Sequence, residues 1–201
     1  MKLYVHFCAN GFSNCYILED KQKAVIIDPG SMDEAILNII EDNSYTLAGI
    51  LITHGHLTHL RAVNTIKRIY ETEIYCISPV IQGFKTITLR DGETVNLGSI
   101  SIEVIAAPGH SADSAIYRIG RMLFTGDAIT AGLIGRTPSV YAASNQMTAI
   151  RGKILSLPGD YSIFPGHGPP TTLETERRFN AGINAFEDYK ARRPVFKPRL
   201  G

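Results

Sequence analysis

Three histidines fall within six residues in Thr53-His54-Gly55-His56-Leu57-Thr58-His59, directly after the apolar run Ala48-Gly49-Ile50-Leu51-Ile52. Neutral imidazole is the commonest metal ligand near neutral pH, and a stiff strand end is a good mount for a ligand set. On extended backbone, residues two apart share a face, so His54 and His56 point the same way and His59 joins from the following turn. These are half of the six histidines in the chain. Two of the others, His110 in Ala107-Pro108-Gly109-His110-Ser111 and His167 in Pro165-Gly166-His167-Gly168-Pro169, sit in similar glycine-rich settings. The chemistry favoured by such a set is metal binding, and through it polarisation of a carbonyl or activation of water.

The surrounding pattern supplies the elements that must hold these residues. Residues 1–7 read as a first strand, 10–14 as a turn, and 15–18 as the second arm of a hairpin. Residues 24–27 form a short buried strand ending in Asp28-Pro29-Gly30. Asp28 is open to two readings, a turn aspartate or a carboxylate that orients a metal-bound imidazole from behind. Ser31 is placed to cap a helix carrying Ala35, Ile36, Ile39 and Ile40, with Asp33 and Glu34 in its first turn. A second amphipathic helix carries Ala62, Val63, Ile66 and Ile69, with Thr58 in the position of its N-cap.

Residues 73–77 read as the next strand and 78–86 as a loop or short helix. A second strand-rich half begins at Thr86, with strands over 86–90, 94–97 and 99–106, and later at 115–118 and 121–127. A helix near 147–157, a strand from Tyr161, and a final helix over about 173–190 precede a tail rich in proline and arginine.

Twenty basic against nineteen acidic residues give a formal charge of +1, so no overall field recommends a nucleic acid or an anionic membrane as partner. The N-terminal stretch is too short and interrupted for a signal sequence, and no apolar run is long enough to span a bilayer; a cytoplasmic protein is expected. Cys8, Cys15 and Cys76 are odd in number and lack metal-site spacing, which makes them candidate core residues. A chain of 201 residues has room for one domain, or at most two small ones.

The histidine stretch resembles the His-Xaa-His-Xaa-Asp-His signature of the metallo-β-lactamase superfamily at every position but one. Further landmarks follow in order: Asn14-Cys15-Tyr16, Asp28-Pro29-Gly30, Pro108-Gly109-His110, Thr125-Gly126-Asp127 and Gly166-His167-Gly168. The resemblance implies an α/β fold, the αββα sandwich of that superfamily, as one domain over 1–201. It also implies a first metal site of His54, His56 and His110, a second with His59 and His167, and Asp127 bridging them. Three imidazoles with an open position are a known catalytic zinc arrangement.

Thr58 occupies the position where the signature has its aspartate. Threonine neither carries a negative charge nor acts as a base near neutral pH. Two divalent ions roughly 3.5–4 Å apart repel strongly at low dielectric, so a lost carboxylate weakens the second ion more than the first. One tightly bound Zn²⁺ and a weak second ion are therefore expected, and no dedicated catalytic base is evident.

Gly126-Asp127, Ile134-Gly135-Arg136-Thr137 and the segment around His167 resemble most closely the short glyoxalase II-type hydrolases, which implies hydrolysis of a small-molecule thioester. Within these 201 residues there is no counterpart of the extra helical substrate domain of longer glyoxalase II enzymes. The resemblance therefore implies the reaction more than the thiol carrier. Arg136 and Tyr141 are candidates for contact with an anionic substrate, although surface pairing and core packing are the commoner roles of such residues.

Two other readings stand beside this one. His54, His110 and Asp127 also make a two-histidine, one-carboxylate set of the kind that holds non-haem Fe(II), as in the related persulfide dioxygenases. The absent carboxylate at position 58 also suits a catalytically weakened metal-binding protein.

Overall fold

A computed structural model describes residues 1–185 of the chain. Its first sheet is built from β1 (Lys2–Cys8), β2 (Ser13–Asp20), β3 (Lys23–Ile27), β4 (Thr46–Leu51) and β5 (Ile74–Cys76). A small hairpin of β6 (Val80–Ile81) and β7 (Phe84–Lys85) then leads to β8 (Ile87–Thr88), and the sheet order is β1-β2-β3-β4-β5-β8. The second sheet contains β9 (Thr94–Leu97), β10 (Ile100–Ala106), β11 (Ala115–Ile119) and β12 (Met122–Gly126). After a hairpin of β13 (Ile129–Thr130) and β14 (Leu133–Ile134), it is completed by β15 (Ser162–Pro165) and β16 (Thr171–Thr172), in the order β16-β15-β12-β11-β10-β9. Helices α1 (Glu34–Glu41), α2 (Val63–Ile69), α3 (Val140–Ala149) and α4 (Leu173–Phe179) accompany them.

Three apolar layers separate four structural ones, as the αββα expectation requires. Strand side chains alternate between faces. Ile17 of β2 and Ile26 of β3 therefore point to the outer core with Ile36, Ile40, Val63 and Ile66 of α1 and α2. Their neighbours Tyr16, Leu18, Val25 and Ile27 point inward, against Ile102, Val104, Tyr117 and Phe124 of the second sheet. The far side of that sheet, with Ile105, Ile116, Leu123 and Ile163, packs on Met147, Ile150, Ile154 and Leu173. All three cysteines are buried free thiols.

Several boundaries differ from those read in the sequence. The cap of α1 is Asp33, whose Oδ1 accepts from Ile36 N at 3.2 Å, while Ser31 remains in the preceding extended segment and donates to Asp33 Oδ2 at 3.3 Å. Thr58 does not cap α2; it lies inside a 3₁₀ turn, Leu57–His59, and α2 starts after Ala62, whose N–H is taken by Pro29 O at 3.0 Å. That turn carries His59, whose ring is fully buried.

Residues 78–86 hold the β6–β7 hairpin, and the strand at Ile87–Thr88 closes the first sheet by pairing with β5. The second half thus begins at β9. Helix α3 starts seven residues earlier than expected, capped by Ser139, and runs on as a π-helical stretch, Ile150–Leu155. The helix expected over 173–190 breaks at Asn180, where ψ is 111°. The Asn180 side chain donates to Leu133 O at 2.9 Å, its Oδ1 accepts from Ile183 N, and helical backbone resumes at 181–185. The remainder of that expected helix and the tail lie outside the described residues.

Phe124 is fully buried between the sheets, 5.3 Å from the Tyr16 ring and stacked on Phe164 at 5.2 Å. Phe124→Ala is expected to cost about 3–5 kcal/mol, because a large aromatic is removed from a site that cannot collapse around the gap. Urea unfolding measures it. A cost below about 1 kcal/mol would show that the two sheets do not depend on this contact.

Candidate metal centre

The ends of β4, β10, β12 and β15 meet along one edge of the sandwich and deliver the polar residues. His54 and His59 are buried, with 1% and 0% exposure, and His56 is open to solvent. His54 Nε2 lies 2.9 Å from His56 Nδ1, and His110 Nε2 lies 3.0 Å from the same atom. Asp127 stands beneath these rings, its Oδ2 3.7 Å from His54 Nε2 and 3.6 Å from His110 Nε2. Its other oxygen, Oδ1, faces His167 Nδ1 at 2.7 Å and His59 Nε2 at 3.7 Å. The donor atoms form two groups, His54, His56, His110 and Asp127 in one and His59, Asp127 and His167 in the other, each within 4.8 Å. One carboxylate therefore belongs to both groups.

The outward nitrogens decide what the inward ones can do. His110 Nδ1 donates to Arg136 O at 2.8 Å, which leaves a bare lone pair on Nε2. Asp28 Oδ1 accepts from Thr53 N at 2.8 Å and Oδ2 from the Thr53 hydroxyl at 2.6 Å. With its proton committed to Asp28, Thr53 Oγ1 accepts from His54 Nδ1 at 3.1 Å, so His54 Nε2 also turns a lone pair inward. The same Asp28 Oδ2 stands 3.2 Å from His59 Nδ1. Asp28 thus orients a ring in each group; its φ of +52° also marks the tight turn at the end of β3, so both readings of this residue hold.

Electrostatics follows from that geometry. Burial, and then the charge on His59, hold the His54 pKa down at about 4, so this ring is neutral. Burial also works against a charge on His59, yet the Asp28 and Asp127 carboxylates raise its pKa to about 10. Partial burial works against a charge on Asp127 too, but the His167 and His59 imidazoles hold its carboxyl well below the usual carboxylate range. The carboxylates of Asp28 and Asp127 therefore favour positive charge at His59.

These residues fit a metal on their own chemistry. Both His59 ring nitrogens are buried without a well-formed hydrogen bond. In the first group His56 Nδ1 lies 2.9 Å from His54 Nε2 and 3.0 Å from His110 Nε2, where a single proton can satisfy only one contact. Metal–nitrogen bonds of about 2.0–2.1 Å in tetrahedral geometry place ligand nitrogens at a similar spacing.

The loops are held by contacts that sequence reasoning missed. Ser13 Oγ donates to Thr58 O at 2.8 Å and so pins the turn that carries His59. Asn14 N donates to Gly166 O at 2.7 Å, and its side chain to Pro165 O at 3.0 Å and Gly168 O at 2.7 Å, fixing the loop of His167. Gly126, with φ of +49°, leaves no room for a Cβ against Thr53 Oγ1. The Thr58 side chain packs toward Gly11, and among the described residues the second group holds no carboxylate besides Asp127. Arg136 enters through its carbonyl, and Tyr141 is 76% exposed, which excludes core packing for it.

Residues 9–167 match the model of the metallo-beta-lactamase superfamily, and the chain belongs to that superfamily. It is 30% identical over 197 residues to hydroxyacylglutathione hydrolase GloC of Haemophilus influenzae, covering 86% of this chain and 93% of that protein. The probable metallo-hydrolase YqgX of Bacillus subtilis is 29% identical over 201 residues, covering 87% and 93%. The structure of ETHE1 from Myxococcus xanthus shares the fold with a TM-score of 0.84 at 24% identity, over 97% of this chain and 93% of that one.

Asp28→Asn keeps the shape and removes the charge behind His54 and His59. It is expected to lower metal affinity about 10–100-fold, the usual cost of losing a partner behind a ligand. Competition with a chelator measures this, and unchanged affinity would mean that the rings are held by packing alone.

Proposed function

We propose that this protein is a metal-dependent hydrolase of small-molecule thioesters. The observation that carries the reading is the shared Asp127, with one oxygen toward three converging imidazoles and the other toward His59 and His167. His54, His56 and His110 would hold the principal ion, Asp127 would border it, and His59 and His167 would offer a second position. A divalent ion there supplies Lewis acidity toward a carbonyl oxygen and a nucleophilic water near neutral pH. Family membership and the 30% identity to a hydroxyacylglutathione hydrolase support the substrate class.

The chain's own residues set the terms of the reaction. Cys8, Cys15 and Cys76 are buried and stand outside both groups, so no cysteine at the centre offers a covalent route. Thr58 provides no base. A thiol has an ordinary pKa near 8.5 and leaves readily as thiolate, so cleavage of a thioester needs less help from an acid than cleavage of an amide. Asp127, held ionised by its two histidine neighbours and shared by both groups, can orient a water at the centre. The three imidazoles of the first group support zinc there, and the shortage of carboxylate in the second group supports weak occupancy at that position.

Zinc-loaded protein is expected to release thiol from a hydroxyacyl-glutathione thioester and to retain about one ion per chain after exhaustive dialysis. Thr58→Asp is expected to raise the stoichiometry toward two and to speed turnover. Two ions held by the unaltered chain would overturn the account of the second site. Oxygen uptake with a persulfide, bound iron and no thiol release would replace hydrolysis by oxidation on His54, His110 and Asp127. A metal-loaded chain inert in both assays would leave a binding role.

A further inference from the structure

Beside the metal centre lies a cavity of about 270 Å³ whose walls come from both sides of His110 and from the start of α3. Pro108 and Ala112 flank the histidine in sequence, and Pro138, Tyr141, Ala142 and Asn145 face them across the opening. We propose that this cavity receives the apolar acyl portion of the substrate, so that the acyl chain rather than the thiol carrier sets specificity. This rests on the thioester reading above.

Three observations carry it. The first is continuity with the centre, since His110 belongs to the first group of donors and its neighbours in the same loop line the cavity. The loop is stiff there. Gly109 N donates to Ser111 O at 3.0 Å, and the Ser111 and Ser114 hydroxyls meet at 2.7 Å. Gly109, with φ of +154°, is pressed on α3 so closely that a Cβ would collide with Gln146 and stand 2.6 Å from Ala142 O. The buried Gln146 is itself anchored, donating to Ala128 O at 3.0 Å. A substrate carbonyl at His110 therefore has a fixed wall beside it.

The second observation is chemical. No charged side chain lines the cavity, and its surface is dominated by proline rings, alanine methyls and an aromatic ring. A peptide-like carrier with free carboxylates and an ammonium group would leave those charges unpaired here, a heavy desolvation cost. An uncharged hydrocarbon group meets no such cost. The third is Tyr141, which lies outside the three cores and exposes 76% of its surface at the mouth. Covering it with a hydrocarbon chain is favourable, and the volume suits a short chain or a single ring.

The test uses zinc-loaded protein and thioesters that share one small carrier, N-acetylcysteamine, with acetyl, butanoyl and hexanoyl groups. Relative kcat/KM is expected to rise about fourfold per added methylene, the gain from burying one CH₂ group. Ala142→Leu narrows the cavity and is expected to flatten the series; Ala112→Leu, at an exposed position, does the same without threatening the fold. A flat series in the unaltered protein would overturn the inference while leaving hydrolysis intact. A direct binding measurement separates the two claims: hexanoate, added during amide NMR, is expected to shift Ala112, Tyr141 and Ala142 far more than acetate does. If no thioester is cleaved but hexanoate moves those amides and Ala142→Leu abolishes the shifts, the reaction class fails and the cavity assignment stands. If hexanoate leaves them unmoved, the cavity assignment fails.

Discussion

The centre depends on a buried carboxylate that binds nothing from solvent. Asp28 is 1% exposed, and a lone charge at such a depth would be strongly unfavourable. It is stabilised by the Thr53 amide, the Thr53 hydroxyl and the His59 ring, all within 3.2 Å. Each of those partners is thereby fixed in turn. Thr53 relays the constraint to His54, and His59 receives it directly, so one group orients imidazoles on both sides of Asp127. Asp28 can occupy this place because β3 and β4 run parallel and end together, with Asp28 N donating to Leu51 O at 3.0 Å. The parallel pairing sets a carboxylate at one strand end beside a histidine at the next.

The two sheets contribute unequally and are tied where they meet. His54, His56 and His59 follow β4 of the first sheet, while His110, Asp127 and His167 follow β10, β12 and β15 of the second. Only the apolar layer between the sheets, with Tyr16, Tyr117 and Phe124 at its centre, fixes their separation. Polar contacts at the edge refine it: Tyr16 donates to Pro165 O at 2.6 Å and Tyr117 to Ile52 O at 2.7 Å, each crossing from one sheet to the other. Packing thus sets the distance between the sheets, and a few hydrogen bonds set the loop positions that bring six donors together. Rigidity of this kind is what a ligand set of fixed geometry requires.

On the proposed reading, chemistry and selection of substrate reside in different residues. The centre is polar, compact and built from ring nitrogens and one shared carboxylate. The adjoining cavity is apolar and takes its walls from the His110 loop and the first turns of α3. Because α3 packs on that loop through Gly109 and Gln146, a change in the helix alters the cavity without touching a donor atom. Such a division lets a fold keep its reaction while its substrate range changes.

The sequence by itself determined the plan of the fold and singled out the candidate donors. The spacing of His54, His56 and His59 after an apolar strand, the order of the later landmarks and the short apolar runs over 15–18 and 24–27 bounded by turn residues are local patterns, legible because they lie within a few residues of one another. Helix starts were less legible, since Asp33 competes with Ser31 as a cap and the exposed residues Val140 and Tyr141 give α3 no apolar stripe at its beginning. Tertiary structure alone decided which groups stand behind the donors. Asp28 meets Thr53 across 25 positions and Asn14 meets Pro165 across 151, separations over which no local pattern extends. It also decided that Thr58 sits in a 3₁₀ turn and that Pro108, Ala112 and Tyr141 share one cavity. Those outcomes depend on how two sheets and a helix pack, and packing depends on the whole chain at once.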